Sequence, residues 1–236
     1  MKKKCAIVGW EEGLAGQVST WLNYDVKYFI YPFKKFPKPD LQKIKLKPSK
    51  SFEYPKNEKY LNKKFICSND WIKFLKKKKI KNILILVSNN TLRLSLIEKA
   101  KKFNLKVLNA IHKTAVISKF VKIGDGVVIE PLTFVGYKAE LEDGALIQEK
   151  ASIDHGSVLK KCSTVNPGAI ITGNCLIGSN TIIHTGAIVI NNIKIGKNCV
   201  VGAGSLVLKN IPSNTVSWGS PCKVKRKLNK NDISLV

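Results

Sequence analysis

The sequence predicts a chain of two parts, a small α/β unit with a parallel sheet over residues 1–110 and a parallel β-helix over residues 111–236. Two observations lead there. Residues 1–110 alternate short apolar strands with helical stretches. From Ile111 onward an aliphatic recurs every sixth residue: Ile111, Ile117, Ile123, Ile129, Val135, Leu141, Ile147, and so on to Val207, seventeen times without exception. A helix repeats every 3.6 residues and a strand every two, so neither gives a period of six. A coil built from one short strand and one corner per repeat does, with its aliphatics stacked in an interior column. The residue four further on is small or β-branched, from Ala115 to Ile211. Gly, Asn, Asp and Lys collect between, where a corner needs permissive backbone or meets solvent.

In the first part, "KCAIVG" (4–9) reads as a short buried strand. A glycine-punctuated loop and a helical stretch to about Leu22 follow. "DVKYFIY" (25–31) is a second strand. Residues 32–60, rich in Lys, Pro, Phe and Tyr, have no clean period and read as a long loop or insertion. "SNDWIKFLKKKK" begins with N-cap residues and sets Trp71, Ile72, Phe74 and Leu75 at helical spacing. "NILILVS" (82–88) is an apolar strand, "NNTLRLSLIEKAKKFN" (89–104) an amphipathic helix, and "KVLNAI" the last strand.

The net charge is +25, and residues 1–110 hold 26 Lys/Arg against 8 Asp/Glu. Such a surplus attracts nucleic acid, acidic lipid or phosphorylated small molecules. With 39 lysines and two arginines, and no RNP, KH or zinc-finger pattern, nucleic acid is not expected as a partner. The six cysteines form no C-x-x-C pair and are expected as buried thiols. No apolar run reaches the ~20 residues of a membrane span, and the apolar run after "MKKK" is too short for a signal peptide. A cytoplasmic protein is expected.

The hexads, the junction "NAIHKTAVIS", the "SIDHGSV" turn, the "NPGAIITGN" coil and the closing "VSWGSPCKVKR" resemble the left-handed β-helix acyltransferases. More narrowly, they are similar to bacterial sugar acetyltransferases that act on nucleotide-linked 4-amino-sugars or on sialic acid. The resemblance implies a Rossmann-like first domain for the sugar nucleotide and a left-handed β-helix for the acyl transfer. It also implies acetyl-CoA as cosubstrate, no metal, and a homotrimer with sites between neighbours. N-acetylation of a nucleotide-linked amino-sugar for surface polysaccharide biosynthesis is the activity implied first, and sialic-acid-type O-acetylation second. A non-catalytic β-helix scaffold is a third possibility.

Three hexads per coil stack residues 18 apart at one strand spacing, ~4.8 Å. His155 then lies between Tyr137 and Gly173, while Gln148, Asn166, His184 and Gly202 form another column. Acetyl transfer from a thioester needs a base for the attacking amine and a donor for the developing oxyanion. The resemblance assigns His155 as base and Gly173 as the oxyanion-side donor. Relatives carry an acid directly after the histidine; here Gly156 stands there and Asp154 precedes. Asp154 is the candidate assisting acid, although adjacent strand residues point apart, which directs it away from the ring. Thr164 occupies the place of a second histidine near the thioester, and Thr185 and Ala203 match acetyl-CoA contacts. Gly13, Leu14, Ser88 and Asn89 match positions that hold the nucleotide-sugar, with Gln148 as a further substrate contact. "GWEEGLAG" serves equally as a tight strand–helix turn or a phosphate loop. Relatives have Asp-Asp after the second strand, where this chain has Tyr31–Pro32. Trp218 and "KVKRK" either meet coenzyme A's adenine and 3′-phosphate or cap the last coil. The three histidines, His112, His155 and His184, are 43 and 29 residues apart, neither a multiple of 18, so a stacked metal site is not expected.

Overall fold

The computed structural model describes residues 2–10, 12–36, 55, 58–229 and 232. Most of the segment read as an insertion, 37–54 and 56–57, lies outside the described residues. The chain forms two compact units, Met1–Val87 with Ala100–Val107, and Ser88–Lys99 with Leu108–Val236.

The first unit is built on a six-stranded sheet of order β3-β4-β2-β1-β5-β6. Its strands are β1 (Lys4–Val8), β2 (Asp25–Tyr31), β3 (Lys59–Tyr60), β4 (Lys63–Cys67), β5 (Asn82–Ile85) and β6 (Lys106–Val107). Neighbours run parallel except β3 and β4, which form an antiparallel hairpin. β1 and β5 are adjacent interior strands, each paired on both edges, and their apolar runs are buried, as an interior parallel strand requires. Helices α1 (Gln17–Trp21) and α2 (Trp71–Lys77) make the crossovers, together with the end of α3 (Asn90–Lys102). β4 has no strand signal in sequence. "KKFIC" opens on two exposed lysines and buries only Phe65, which suffices for an outer position beside β2. Tyr31, which ends β2, packs its ring against Phe33 and Phe36, at 5.3 and 5.0 Å between centroids.

The second unit is the β-helix. Seventeen two-residue strands run from β7 (Ala110–Ile111) to β23 (Leu206–Val207), and each pairs in parallel with the strand 18 residues away. They form three flat faces. Face I carries strands such as Leu146–Ile147 and Thr164–Val165, face II Ser152–Ile153 and Ile170–Ile171, and face III Val158–Leu159 and Leu176–Ile177. The second residue of each strand points inward, and from Ile129 to Val207 every one is buried.

Two expectations are corrected. Ile111 is not interior but 40% exposed, and Ile117 and Ile123 are half-buried; the first coil has a neighbour on one side only. "KVLNAI" is not one strand. β6 pairs with β5 in the first unit, whereas Ala110–Ile111 pairs with Val128–Ile129 in the second.

The outward residues give the faces different roles. Those of face I, including Val128, Leu146 and Ile182, are buried beneath the 88–99 helical segment and the C-terminal hairpin β24 (Thr215–Trp218) and β25 (Lys223–Lys227). Face III is mixed, with Lys122 and Glu140 paired at 2.6 Å, Lys194 exposed, and Val158 and Leu176 half-buried between them. Face II is apolar and open, presenting Val116, Phe134, Ile170 and Ile188.

The inward column predicts a steep positional contrast. Ile153→Ala, at a fully buried site, is expected to cost ~2–5 kcal/mol in urea unfolding, whereas Ile111→Ala at the open end costs less than about 1 kcal/mol.

Candidate active site

His155 sits at the corner between faces II and III. The strand Ser152–Ile153 ends, and the chain turns through Gly156 at φ +64°, a left-handed conformation that favours glycine. The Gly156 N–H donates to Tyr137 O at 2.9 Å, and the Asn174 N–H donates to His155 O at 2.8 Å, locking the corner between its two neighbours.

Asp154 does not point away from the ring. Its Oδ1 accepts the His155 backbone N–H at 2.6 Å and lies 3.1 Å from His155 Nδ1. Strand alternation does not hold here because the strand stops at Ile153; in the turn, consecutive side chains project to the same side. The hydrogen bond from the His155 amide, aided by the imidazole, holds the Asp154 carboxyl below its usual range. An ionised carboxylate only accepts, so the contact favours a proton on Nδ1, and in the neutral ring with that tautomer Nε2 keeps its lone pair. The imidazole is half exposed and lies over Gly173. A Cβ on Gly173 would stand 2.4 Å from Cε1 and 2.5 Å from Nε2, so the room that glycine leaves is filled by the ring itself. The Gly173 O accepts from Asn192 at 3.0 Å.

The corner between faces I and II holds the other column. Asn166 Nδ2 lies 3.0 Å from His184 Nδ1, and burial pushes the His184 pKa down. Gln148, half-buried, is in this column. Below it Glu130 is 1% exposed; burial first, then the Glu149 carboxyl, raise its pKa well above the carboxylate range. Thr185 and Ala203 are exposed on this corner. Beside them Gly168, Gly186 and Gly204, all at positive φ, have nothing within 4 Å of where a Cβ would be. The result is a smooth edge along which an extended ligand chain is able to lie.

Thr164 belongs to neither corner. It faces outward from face I, is 4% exposed, and hydrogen-bonds Asn90 Oδ1 at 2.7 Å and Arg93 Nη2 at 2.9 Å. It offers no surface to a cofactor, which corrects the expectation for it. Arg93, 1% exposed, is the residue that sequence reasoning overlooked. Its guanidinium donates to Gly144 O, Cys162 O, Ser88 O and Asn90 Oδ1, fastening the 88–99 segment to face I. A lone arginine among lysines was the available signal, since only its planar fork serves so many acceptors at once.

The remaining substrate candidates divide between the units. Gly13 lies exposed in the helical turn Glu12–Gly16 of the first unit, but the Leu14 side chain is buried in that unit's core and presents no side-chain contact to a substrate. Ser88 is exposed in the second unit, and Asn89 caps α3, its Oδ1 accepting the Leu92 N–H at 2.8 Å. Trp218 lies against the last coil, where a Cβ on Gly202 would stand 2.8 Å from its own Cβ, but its ring is not buried there. It is exposed, with Lys225 Nζ 5.6 Å from its ring, while Ile211 and Cys222 pack against the end of the core. Among the described residues no group of three or more His, Cys, Asp or Glu is arranged to hold a metal.

Residues 174–209 match the family model for the bacterial transferase hexapeptide (six repeats). The curated proteins return no match. Solved structures are similar over nearly the whole chain. PerB from Caulobacter crescentus, in complex with CoA and GDP-perosamine, is 22% identical, with a TM-score of 0.79 over 94% of this chain and 97% of its own. Perosamine N-acetyltransferase from the same organism, in complex with the same two ligands and with one histidine replaced by asparagine or by alanine, is 22% identical, with a TM-score of 0.79 over 94% of this chain and 96% of its own. The acetyltransferase domain of PglB from Neisseria gonorrhoeae, in complex with acetyl coenzyme A, is 23% identical, with a TM-score of 0.78 over 95% of this chain and 100% of its own. WeeI from Acinetobacter baumannii AYE is 18% identical, with a TM-score of 0.65 over 94% and 100%. The fold is an α/β unit followed by a left-handed β-helix.

The contact between His155 and Gly173 is directly testable. Gly173→Ala should push the imidazole off its seat and break the Asp154 contact. Nitrogen NMR of the native protein is expected to find the neutral ring protonated at Nδ1; in Gly173→Ala that preference should be lost, while the melting profile stays close to native.

Proposed function

We propose that this protein is an N-acetyltransferase that moves the acetyl group of acetyl-CoA to the amine of a nucleotide-linked amino-sugar, in surface-glycan biosynthesis. The observation that carries this reading is the Asp154–His155 pair seated on Gly173 at an exposed β-helix corner. Likeness along nearly the whole chain to proteins solved with CoA, acetyl-CoA and GDP-perosamine supports it. As a reaction of acetyl-CoA with a sugar nucleotide, it belongs in the cytoplasm.

Coenzyme A supplies the acetyl group as a thioester. His155 Nε2, with its lone pair free, takes the proton from the amine nitrogen as that nitrogen bonds to the acetyl carbon. Asp154 keeps the ring in the tautomer that allows this and stabilises the imidazolium that forms. Gly173, through its backbone N–H, is the donor this reading assigns to the oxyanion. As the carbon–sulfur bond breaks, the imidazolium returns its proton to the departing thiolate. Thr185 and Ala203, on the edge opened by the three glycines, suit the extended arm of coenzyme A. Gly13, Ser88, Asn89 and Gln148 are the contacts we assign to the sugar nucleotide.

His155 and the Thr185–Ala203 edge stand at opposite borders of face II. A site that uses both needs a second copy of the chain, and the open apolar face between them suits that contact. We therefore propose a homotrimer, with sedimentation giving three protomers at micromolar concentration; a monomer would oppose it.

His155→Ala is expected to lower kcat by ~10²–10⁴-fold with coenzyme A affinity nearly unchanged, measured by thiol release and by calorimetry. Because Asp154 contacts the ring, Asp154→Asn should also lower kcat, by about tenfold or more, without raising KM. Full turnover in His155→Ala would remove the imidazole from the reaction.

A further inference from the structure

The lysines of the first unit are not spread evenly. In a parallel α/β unit each helix returns antiparallel to its strands, so helix carboxyl ends and strand amino ends gather along one edge. Here that edge is basic. Residues 76–79, four lysines in a row at the end of α2, are all exposed, as are Lys101 and Lys102 at the end of α3 and Lys81 and Lys106 before β5 and β6.

Contacts join them into one surface. Lys76 Nζ lies 5.1 Å from the centroid of the Phe103 ring, linking the two helix ends. The Lys106 N–H donates to Lys81 O at 2.8 Å, linking the two strand starts. Lys79 takes φ +54° to end its helix turn, a position where glycine or asparagine is easier. Segments 71–87 and 99–107 together hold ten lysines and neither an acid nor an arginine.

We propose that this edge docks the protein on an anionic lipid bilayer. Lysine is a compact point charge without arginine's fork, which suits diffuse attraction to mobile phosphate headgroups better than fixed phosphate recognition. Phe103, 40% exposed in the midst of the lysines, supplies the apolar side chain that an interfacial anchor sets among the headgroups. No helix among the described residues is long and apolar enough to cross a membrane. Ligands of open parallel sheets bind at the carboxyl ends of the strands, so a docked amino edge leaves that side clear. The inference is independent of the acetyl-transfer reading, and its test uses no substrate.

The test is co-sedimentation of the full chain with phosphatidylcholine vesicles, with and without a one-third fraction of phosphatidylglycerol. Binding is expected only with the anionic lipid and should fall as salt rises to about 0.5 M. Each lysine near the surface contributes about fivefold to binding. Combined Lys76→Gln, Lys77→Gln, Lys101→Gln and Lys102→Gln should therefore weaken it by ~10²-fold or more, with an unchanged melting profile. The double change Lys77→Glu and Lys102→Glu should report the same loss from fewer substitutions. Lys161→Gln, Lys194→Gln, Lys197→Gln and Lys209→Gln, with the same charge change on the other unit, should leave binding within a few-fold. Equal binding to both vesicles, equal loss in both four-site variants, or tighter retention on duplex DNA than on anionic vesicles would each overturn the proposal.

Discussion

The second unit depends on one constraint, that each six-residue repeat sends one aliphatic side chain inward and turns one corner. Three repeats close a coil, so residue i always lies against residues i−18 and i+18. A single inserted residue would move every later inward side chain to the outside. With that spacing held, side chains far apart in sequence meet without any dedicated loop to carry them. Gly173 lies under the His155 ring and Asn166 lies against His184 for no other reason. The corners are rigid because each is hydrogen-bonded to the coil before and after it, which is the condition a preorganised site needs.

The three faces divide the labour. Face I is spent on burial under the 88–99 segment and the C-terminal hairpin, face III mixes charged residues with the half-buried Val158 and Leu176, and face II remains largely apolar and open. The two corners bordering face II carry the groups with chemistry: the Asp154–His155 pair on one side, the Asn166–His184 column and glycine edge on the other. Two partial sites on either side of an apolar face are what a self-associating β-helix would present. The basic edge of the first unit is a separate feature, set by helix and strand ends rather than by the coil register.

Much of this was legible in the sequence. The hexads predict the β-helix and its interior, since a period of six leaves no other placement for the aliphatics; Ile111 departs only because a stack has ends. The 18-residue register alone places His155 beside Gly173, and the ring is found there. What sequence reasoning misjudged were positions decided by local backbone or by a distant segment. Strand alternation directs Asp154 away from the ring, but a two-residue strand has ended by then. Thr164 was matched to a cofactor contact, but Arg93 and Asn90, more than seventy positions away, cover it. β4 escaped because an outer strand with one buried side chain has no period to detect.

The most direct measurement of the central claim is thiol release from acetyl-CoA across UDP-, GDP- and dTDP-linked 4-amino-sugars and sialic acid. The account predicts that one nucleotide-linked amino-sugar supports rapid release, with mass spectrometry placing the acetyl group on nitrogen. Rapid release with sialic acid alone, or none above background with any acceptor, would contradict it.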